Sequence, residues 1–427
     1  MSKLTRRTFF QGATLAASAT QVMGANDRVQ VGVVGIGGRG RAHVNRWLSI
    51  TDSTVAALCD VNQAARERGQ ALVEKAGDPK AREFTDLRKM YEDKDVDAVS
   101  IATPNHWHAL ATIWACKAGK DVYCEKPACH NPYEGGKMIE VARRTQRMVQ
   151  IGSQSRSTPH KMKAMKLLQE GVIGKLYMAK GLCFKRRKSI GHTPAEPVPP
   201  GIDWDIFRGP APMRPFTRNR YKYNWHWFWD TGNGDIGNQG VHEMDLARWG
   251  MGELKLPRAV HSSGGKYIYD DDQETPNTQY CTLDYGDVEI HFEVRGLLTG
   301  PEGGLPVKPG NTVGDLYFGS EGWMWVDGGG FQVYKGEKKR LVMEEKGSGD
   351  GTKLHMENFL SAVKSRDHKD LNADVEVGVI SADLCHFANI SYRVGRKLTL
   401  DEWGKSFVND WQANKLWTRE YRKPYVV

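Results

Sequence analysis

Apolar positions in the first third of the chain come as short, nearly unbroken runs. Val29–Val34, Val55–Asp60, Ala98–Ala102, Asp121–Cys124 and Met148–Gly152 are five such runs. A strand buried on both faces needs this pattern, because neither side of it meets water. Between them lie stretches with helical periodicity: Arg41–Ser49, Asn62–Ala76, His108–Ala118 and Tyr133–Thr145. Gly119 follows the third, where a left-handed residue commonly ends a helix. Strands alternating with helices predict a parallel, doubly wound sheet. After about residue 152 the pattern changes. Pro159–Glu170 reads as a helix, and Arg186–Asp235 is loop-rich and holds many of the Trp and Pro residues. A helix at His242–Trp249 precedes alternating segments at Ala259–Tyr269, Gln279–Tyr285, Val288–Arg295, Val313–Gly319, Gly322–Val326 and Phe331–Tyr334. Alternation of this kind predicts a mostly antiparallel sheet with one polar face. Two helices, Leu354–Ser365 and Val375–Arg393, follow. The expected fold is therefore α/β in the first part and α+β, with a large open sheet, in the second.

The chain has 427 residues, 40% of them hydrophobic and 26% charged, which fits two or three globular domains. Its start has its own character. Thr5-Arg6-Arg7-Thr8-Phe9-Phe10 precedes an Ala-rich stretch with small residues at Ala17, Ala19 and Ala25. A positive segment, an apolar segment and small residues read as a signal peptide, and the Arg pair gives it twin-arginine character. Residues 1–25 are expected to direct folded protein through the export translocase, to the periplasm or outside the cell. No later run reaches 18 apolar residues, so no membrane span is expected. The net charge is +9, but the dense basic run is short, Lys185-Arg186-Arg187-Lys188, and no nucleic-acid partner is expected. Seven scattered cysteines suggest neither a disulfide framework nor a metal site. His106 and His108 stand two apart without a third ligand, so no metal is expected there either. Thirteen Trp residues leave room for a carbohydrate-binding surface, since flat apolar rings match sugar C–H faces.

Three constellations carry candidate chemistry. The first is Gly35-Ile36-Gly37-Gly38-Arg39-Gly40 directly after a strand, with Asp60 closing the next strand. Glycines allow the backbone to turn tightly and approach a pyrophosphate, whose charge rests on a helix N-terminus. An acid about 20 residues further on meets the ribose hydroxyls. NAD is expected over NADP, because the Asp60 carboxylate repels a 2′-phosphate; Arg39 keeps NADP open. The second is Glu125-Lys126-Pro127 at another strand end, where an ammonium meets cofactor and substrate in such sheets. The third runs from Gly232 to Asp245 and places Asn238 and His242 four residues apart, on one face of a helix. Taken singly, a Lys before Pro or a His in a helix is more often structural.

Together these residues resemble the glucose–fructose oxidoreductase and inositol dehydrogenase family (Gfo/Idh/MocA). The turn at Gly35–Gly40, Thr103-Pro104-Asn105 with His108, Glu125-Lys126-Pro127, and the Gly-rich stretch ending in His242 occur in the family's order and spacing. The resemblance implies a Rossmann domain over residues 26–152 and a substrate and oligomerisation domain over 153–427. It implies that Thr103, Pro104, Asn105, His108, Glu125 and Lys126 join the glycine turn around the cofactor. It implies that Lys126 and His242 are a catalytic pair, that Arg156, Trp225 and Asp245 join them at the substrate, and that the open sheet builds a homo-oligomer. One position departs from the family: many members have Asp where this chain has Asn238. An amide orients a ring but takes no proton, and Asp235 or Asp245 remain as carboxylates nearby in sequence. The expected substrate is a sugar or glycoside. His242 is expected to take the hydroxyl proton while Lys126 stabilises the oxyanion. Because free NAD is scarce outside the cytoplasm, a tightly held cofactor cycling in redox-neutral chemistry is favoured. The alternatives are a ketone-forming sugar or cyclitol dehydrogenase, and a cofactor-binding protein without catalysis.

Overall fold

The structure is a computed structural model, and it describes residues 28–300 and 311–427. The expected export signal, residues 1–25, lies outside the described residues. The first sheet contains β1 (Val29–Val34), β2 (Ser53–Cys59), β3 (Arg82–Phe84), β4 (Ala98–Ile101), β5 (Asp121–Cys124) and β6 (Val149–Ile151). All its pairings are parallel, in the order β3-β2-β1-β4-β5-β6. The order reverses at β1, and the crevice outside the strand ends there is where doubly wound sheets bind ligands. Helices α1 (Gly38–Leu48), α2 (Gln63–Ala76), α3 (Leu87–Tyr91), α4 (Asn105–Lys117) and α5 (Pro132–Thr145) connect the strands. Val31, Val33, Val99, Ile101 and Val122 have at most 1% of their surface exposed, which is why these strands read as continuous apolar runs.

The second part begins with α6 (Pro159–Gln169), β7 (Leu176–Phe184) and α7 (Trp204–Arg208), then α8 (Val241–Gly250). Strands β8 (Ala259–Gly265), β9 (Thr278–Asp284), β10 (Glu289–Arg295), β11 (Thr312–Gly319), β12 (Gly322–Asp327), β13 (Gly330–Lys335) and β14 (Arg340–Lys346) follow. The chain closes with α9 (Gly351–Ser365), α10 (Val375–Val394), β15 (Leu398–Thr399) and α11 (Trp411–Lys415). The nine strands run β14-β13-β12-β11-β7-β10-β9-β8-β15, antiparallel except for the β7–β10 pair. One face packs on α6, α8 and α10 through a large core that includes Met244, Phe292, Tyr317 and Phe387. On the rest of the sheet Leu182, Phe184, Leu316 and Trp325 make a small separate cluster, with Phe318 and Trp323 half-covered beside it.

The late helices return to the first sheet. Met356, Phe359 and Leu360 of α9 share a core with Val31, Trp47 and Tyr123. Val375, Val379 and Ala382 of α10 share another with Val122, Cys129 and Ile151. The C-terminal residues therefore hold the nucleotide-type sheet as well as their own. Among the described residues, no helix is long and apolar enough to cross a membrane.

Candidate active site

The glycine turn is shaped by close contacts. Gly35 has φ +80, and a Cβ there would lie 2.9 Å from the Ala102 backbone. A Cβ on Gly40 would sit 1.6 Å from the Gly35 carbonyl oxygen, so the first turn of α1 closes on the end of β1 only without side chains. Gly37 and Gly38 face open space. The N-cap of α1, Gly37, offers no side-chain acceptor, which leaves the first helical N–H groups for a ligand. Asp60 closes β2. Its Oδ2 accepts from Ile36 N at 2.5 Å and its Oδ1 from Asn62 N at 2.8 Å, so the acid braces the turn itself. Burial pushes its pKa up, against those two N–H groups. An uncapped helix start, open glycines and an acid at the next strand end fit the pyrophosphate and ribose of a dinucleotide.

Arg39 does not turn toward Asp60. Its Nε donates to Glu125 Oε1 at 2.8 Å, where His43 Nε2 (3.0 Å) and Gln154 Nε2 (2.9 Å) also meet. Burial disfavours the Glu125 carboxylate, yet Arg39 and His43 hold it well below the usual range. His108 lies between two carbonyl oxygens, Pro127 O at 2.7 Å and Thr103 O at 2.8 Å, and so joins the loops after β4 and β5. Asn105 Nδ2 donates to Asn233 Oδ1 at 2.9 Å, and Asn233 Nδ2 to His130 O at 3.1 Å. These bonds lock the Gly-rich segment of the second part onto the strand ends of the first.

Lys126 and His242 line one cleft of about 1040 Å³, together with the glycine turn, Asp60, Thr103, Pro104, Asn105, His108, Glu125 and Asn238. Lys126 Nζ donates to the carbonyl oxygen of Asn238 at 2.5 Å. Burial lowers the Lys126 pKa, and Glu125 opposes that shift. The segment Ile236–Gly240 is a π-helical turn that runs into α8 and sets His242 one turn past Asn238. Such widened turns occur often at functional sites. Burial, and then the Lys126 cation, lower the His242 pKa to about 3, so the ring is neutral. The Asn238 side chain does not stand in for a carboxylate. Its Nδ2 donates to Tyr223 Oη at 3.0 Å and faces Asp235 at 3.4 Å. Asp235 in turn is held by Arg187 through two bonds of 2.9 and 2.6 Å.

The cleft continues past His242 into a second lobe of about 810 Å³, lined by His160, Lys161, Glu243 and Asp327 among others. Gln154, Gln239, His242 and Thr352 line both lobes. Burial raises the Glu243 pKa to about 7, and its Oε2 has no hydrogen-bond partner. Of the residues expected at the substrate, Trp225 lines the first lobe and stacks on His226 at 3.5 Å between centroids. Arg156 and Asp245 line neither lobe. They pair with each other at 2.9 Å, buried, with Ser381 Oγ donating to Asp245 at 2.6 Å, and so tie α8 to α10. Tyr223, Gln154, Lys161 and Glu243 were not singled out by sequence. Tyr223 sits in the aromatic stretch Tyr221–Trp229, and Glu243 directly follows His242; those were the available signals.

A parallel sheet with a glycine turn at its switch point, facing a second domain that supplies a histidine, defines a dinucleotide-dependent oxidoreductase fold. The chain belongs to the Gfo/Idh/MocA oxidoreductase family. That family's NAD-binding Rossmann fold matches residues 29–153, and its C-terminal alpha/beta domain matches residues 160–262 and 321–427. The protein is accordingly an NAD-binding oxidoreductase. It is similar to inositol 2-dehydrogenase 2 of Saccharopolyspora erythraea, 25% identical over 69% of this chain and 77% of that one. It is also similar to glycosyl hydrolase family 109 protein 1 of Bacteroides thetaiotaomicron, 31% identical but over only 36% of this chain and 34% of the relative. Among solved structures, levoglucosan dehydrogenase in complex with NADH and levoglucosan has the same fold, with a TM-score of 0.68 at 18% identity. That likeness covers 87% of this chain and 99% of the other.

Proposed function

We propose that the protein oxidises a hydroxyl-bearing carbon of a sugar or glycoside with bound NAD and returns the hydride within the same catalytic cycle. One observation carries the reading: Lys126 and His242, from different halves of the chain, meet in one cleft that continues past His242 into a second lobe. The second lobe gives room for a substituent on the sugar, as a glycoside has. The named activities of the relatives, on inositol and levoglucosan and as a glycosyl hydrolase, support the substrate class.

The glycine turn and the start of α1 hold the pyrophosphate, and Asp60 the ribose. Arg39 is engaged by Glu125, which leaves the carboxylate of Asp60 to favour NAD over NADP. The bound nicotinamide supplies the acceptor for a hydride and the donor that gives it back. Neutral His242 accepts the hydroxyl proton at a ring nitrogen. Lys126 Nζ, a half-buried cation, stabilises the oxygen as negative charge gathers on it. The same charge offsets Lys126 as seen by His242, so the ring gains basicity when the reaction needs it. The resulting ketone acidifies the neighbouring C–H, whose proton passes to solvent. Lys126 stabilises the enolate, the aglycone oxygen leaves with a proton from solvent, and water adds to the enone left behind before the hydride returns. The test supplies purified protein with a panel of glycosides, without added NAD or an electron acceptor, and counts turnovers per bound cofactor. Many turnovers are expected. One turnover, restarted only by fresh NAD, would favour the second reading, a ketone-forming dehydrogenase, which the dehydrogenase names of two relatives recommend.

We also propose export by the twin-arginine route, on the strength of Arg6 and Arg7 ahead of Phe9 and Phe10. Replacing both arginines by Lys is expected to leave uncleaved protein in the cytoplasm. Normal export of that variant would refute the assignment.

A further inference from the structure

Cys129 lies three residues past Lys126, in the segment that leads into α5. Asp383 and His386 stand one turn apart on α10. The fold brings a ligand atom of each of these three residues within 4.8 Å of the other two. Cys129 Sγ is 3.5 Å from His386 Nε2. Ligand atoms around a tetrahedral ion with bonds of about 2.0–2.3 Å are themselves about 3.5 Å apart, so small side-chain movements suffice. The cluster lies outside the cleft described above: none of the three lines either lobe.

We propose that Cys129, Asp383 and His386 bind one divalent transition-metal ion of the zinc class. Two features of the site favour a ligand over a simple thiol–imidazole contact. All three side chains are buried, at 0%, 8% and 3% exposure, and Asp383 Oδ1 has no hydrogen-bond partner. A buried carboxyl oxygen without a partner calls for an explanation, and an unseen ion is one of the standard ones. The charges also balance. A thiolate and a carboxylate carry two negative charges and a neutral imidazole none, so a divalent ion makes the buried assembly neutral. Uptake by the protonated site releases two protons, one from sulfur and one from oxygen. Sulfur and nitrogen donors together select zinc-like ions over calcium or magnesium. Three protein ligands leave a fourth position for water. The ion would tether the Lys126 segment to α10, and so join the two halves of the active site from behind.

The test uses the full chain as purified, without added metal. Elemental analysis is expected to find about one zinc per chain. After exchange to cobalt(II), a thiolate-to-cobalt charge-transfer band is expected in the near ultraviolet and is lost in Cys129→Ser. Chelation is expected to lower the melting temperature of the unmodified protein by several degrees, and that of Asp383→Asn much less. A metal-free chain that neither takes up zinc nor gains stability from it overturns the proposal. So does a cobalt band that persists in Cys129→Ser. If the variants do not fold, the zinc content and cobalt spectrum of the unmodified chain decide alone. None of these readouts depends on sugar turnover, so they stand or fall apart from the catalytic reading.

Discussion

Lys126 and His242 act on each other through charge. Both are half-buried in the cleft, desolvation there lowers both pKa values, and the Lys126 cation pushes His242 further down, to about 3. Each is expected to matter on its own. Lys126→Met and His242→Ala should each slow hydride transfer by roughly a hundredfold or more, the usual scale for a lost oxyanion partner or general base. Bound cofactor should survive in both, since the glycine turn and Asp60 are untouched. Single-turnover absorbance at the NADH band measures the first effect and cofactor content the second. Near-full activity in either variant would remove that residue from the mechanism. Strand end, helix and spacing marked each residue in the sequence only as a candidate, and it was the family resemblance that joined them as a pair. What stands behind the pair was not legible. Asn238 raised the question of which nearby acid supports His242, and the structure shows both engaged elsewhere: Asp235 by Arg187 and Asp245 by Arg156, 48 and 89 residues away. Periodicity says nothing about partners at that separation. The cluster of Cys129 and His386, 257 residues apart, was hidden for the same reason.

At the scale of elements, the start of α1 is the tightest glycine junction among the described residues. A methyl group on Gly40 would overlap the Gly35 carbonyl oxygen at 1.6 Å, and backbone cannot swing away as a flexible side chain does. Gly40→Ala is therefore expected to cost about 1–3 kcal/mol of stability, the range for overpacked sites, and to weaken NAD binding. Gly38→Ala is the control. Nothing lies within 4 Å of its Cβ, so its fold should be unchanged and any lost NAD affinity reflects contact with the cofactor itself. Thermal melts and NAD titration of the two variants separate these cases; equal stability in both would show that α1 moves freely against β1. Five of the six strands of the first sheet were readable because both their faces are apolar; β3, Arg82–Phe84, is largely exposed and was not. Strand β7, at the middle of the second sheet, was not readable either. It runs Leu-Tyr-Met-Ala-Lys-Gly-Leu-Cys-Phe, with Lys180 and Gly181 interrupting the pattern, and it pairs with β10 and β11 over 100 residues later in the chain. Gly181 is used there because Glu243 of α8 packs close above it. Strand β14 escaped notice for the opposite reason: as an edge strand, Arg340–Lys346 is largely exposed and heavily charged.

Across the whole molecule, histidine burial sets a pH limit. His106, His226 and His355 are enclosed, and burial is the main cause that lowers their pKa values to about 3, 3 and 4. An unfolded histidine titrates near 6.5. Below that pH the unfolded chain binds protons that the folded chain refuses, so stability falls as pH falls from 6.5 toward 3–4. Glu243 works the other way. Its pKa is raised to about 7, so its contribution is present at low pH and is lost as pH rises through 7. The burial-raised Asp315 has the same sign. Paired acids such as Glu125, Asp230 and Asp245, all lowered, add a further loss below about pH 4, where unfolded carboxylates protonate. Among the described residues eight histidines, His43, His106, His108, His130, His226, His242, His355 and His386, are lowered, against five acids that are raised, Asp60, Asp97, Glu243, Asp315 and Asp383, so the histidines decide the sign over this interval. The melting temperature is therefore expected to be highest near neutral pH and to drop steadily between pH 6.5 and 4.5, before the carboxylates contribute. Melts in one buffer series at constant ionic strength measure this. A flat profile from pH 7.5 to 4.5 would mean that these rings gain protons in the folded state too, and so that the interior around His106 and His355 admits water.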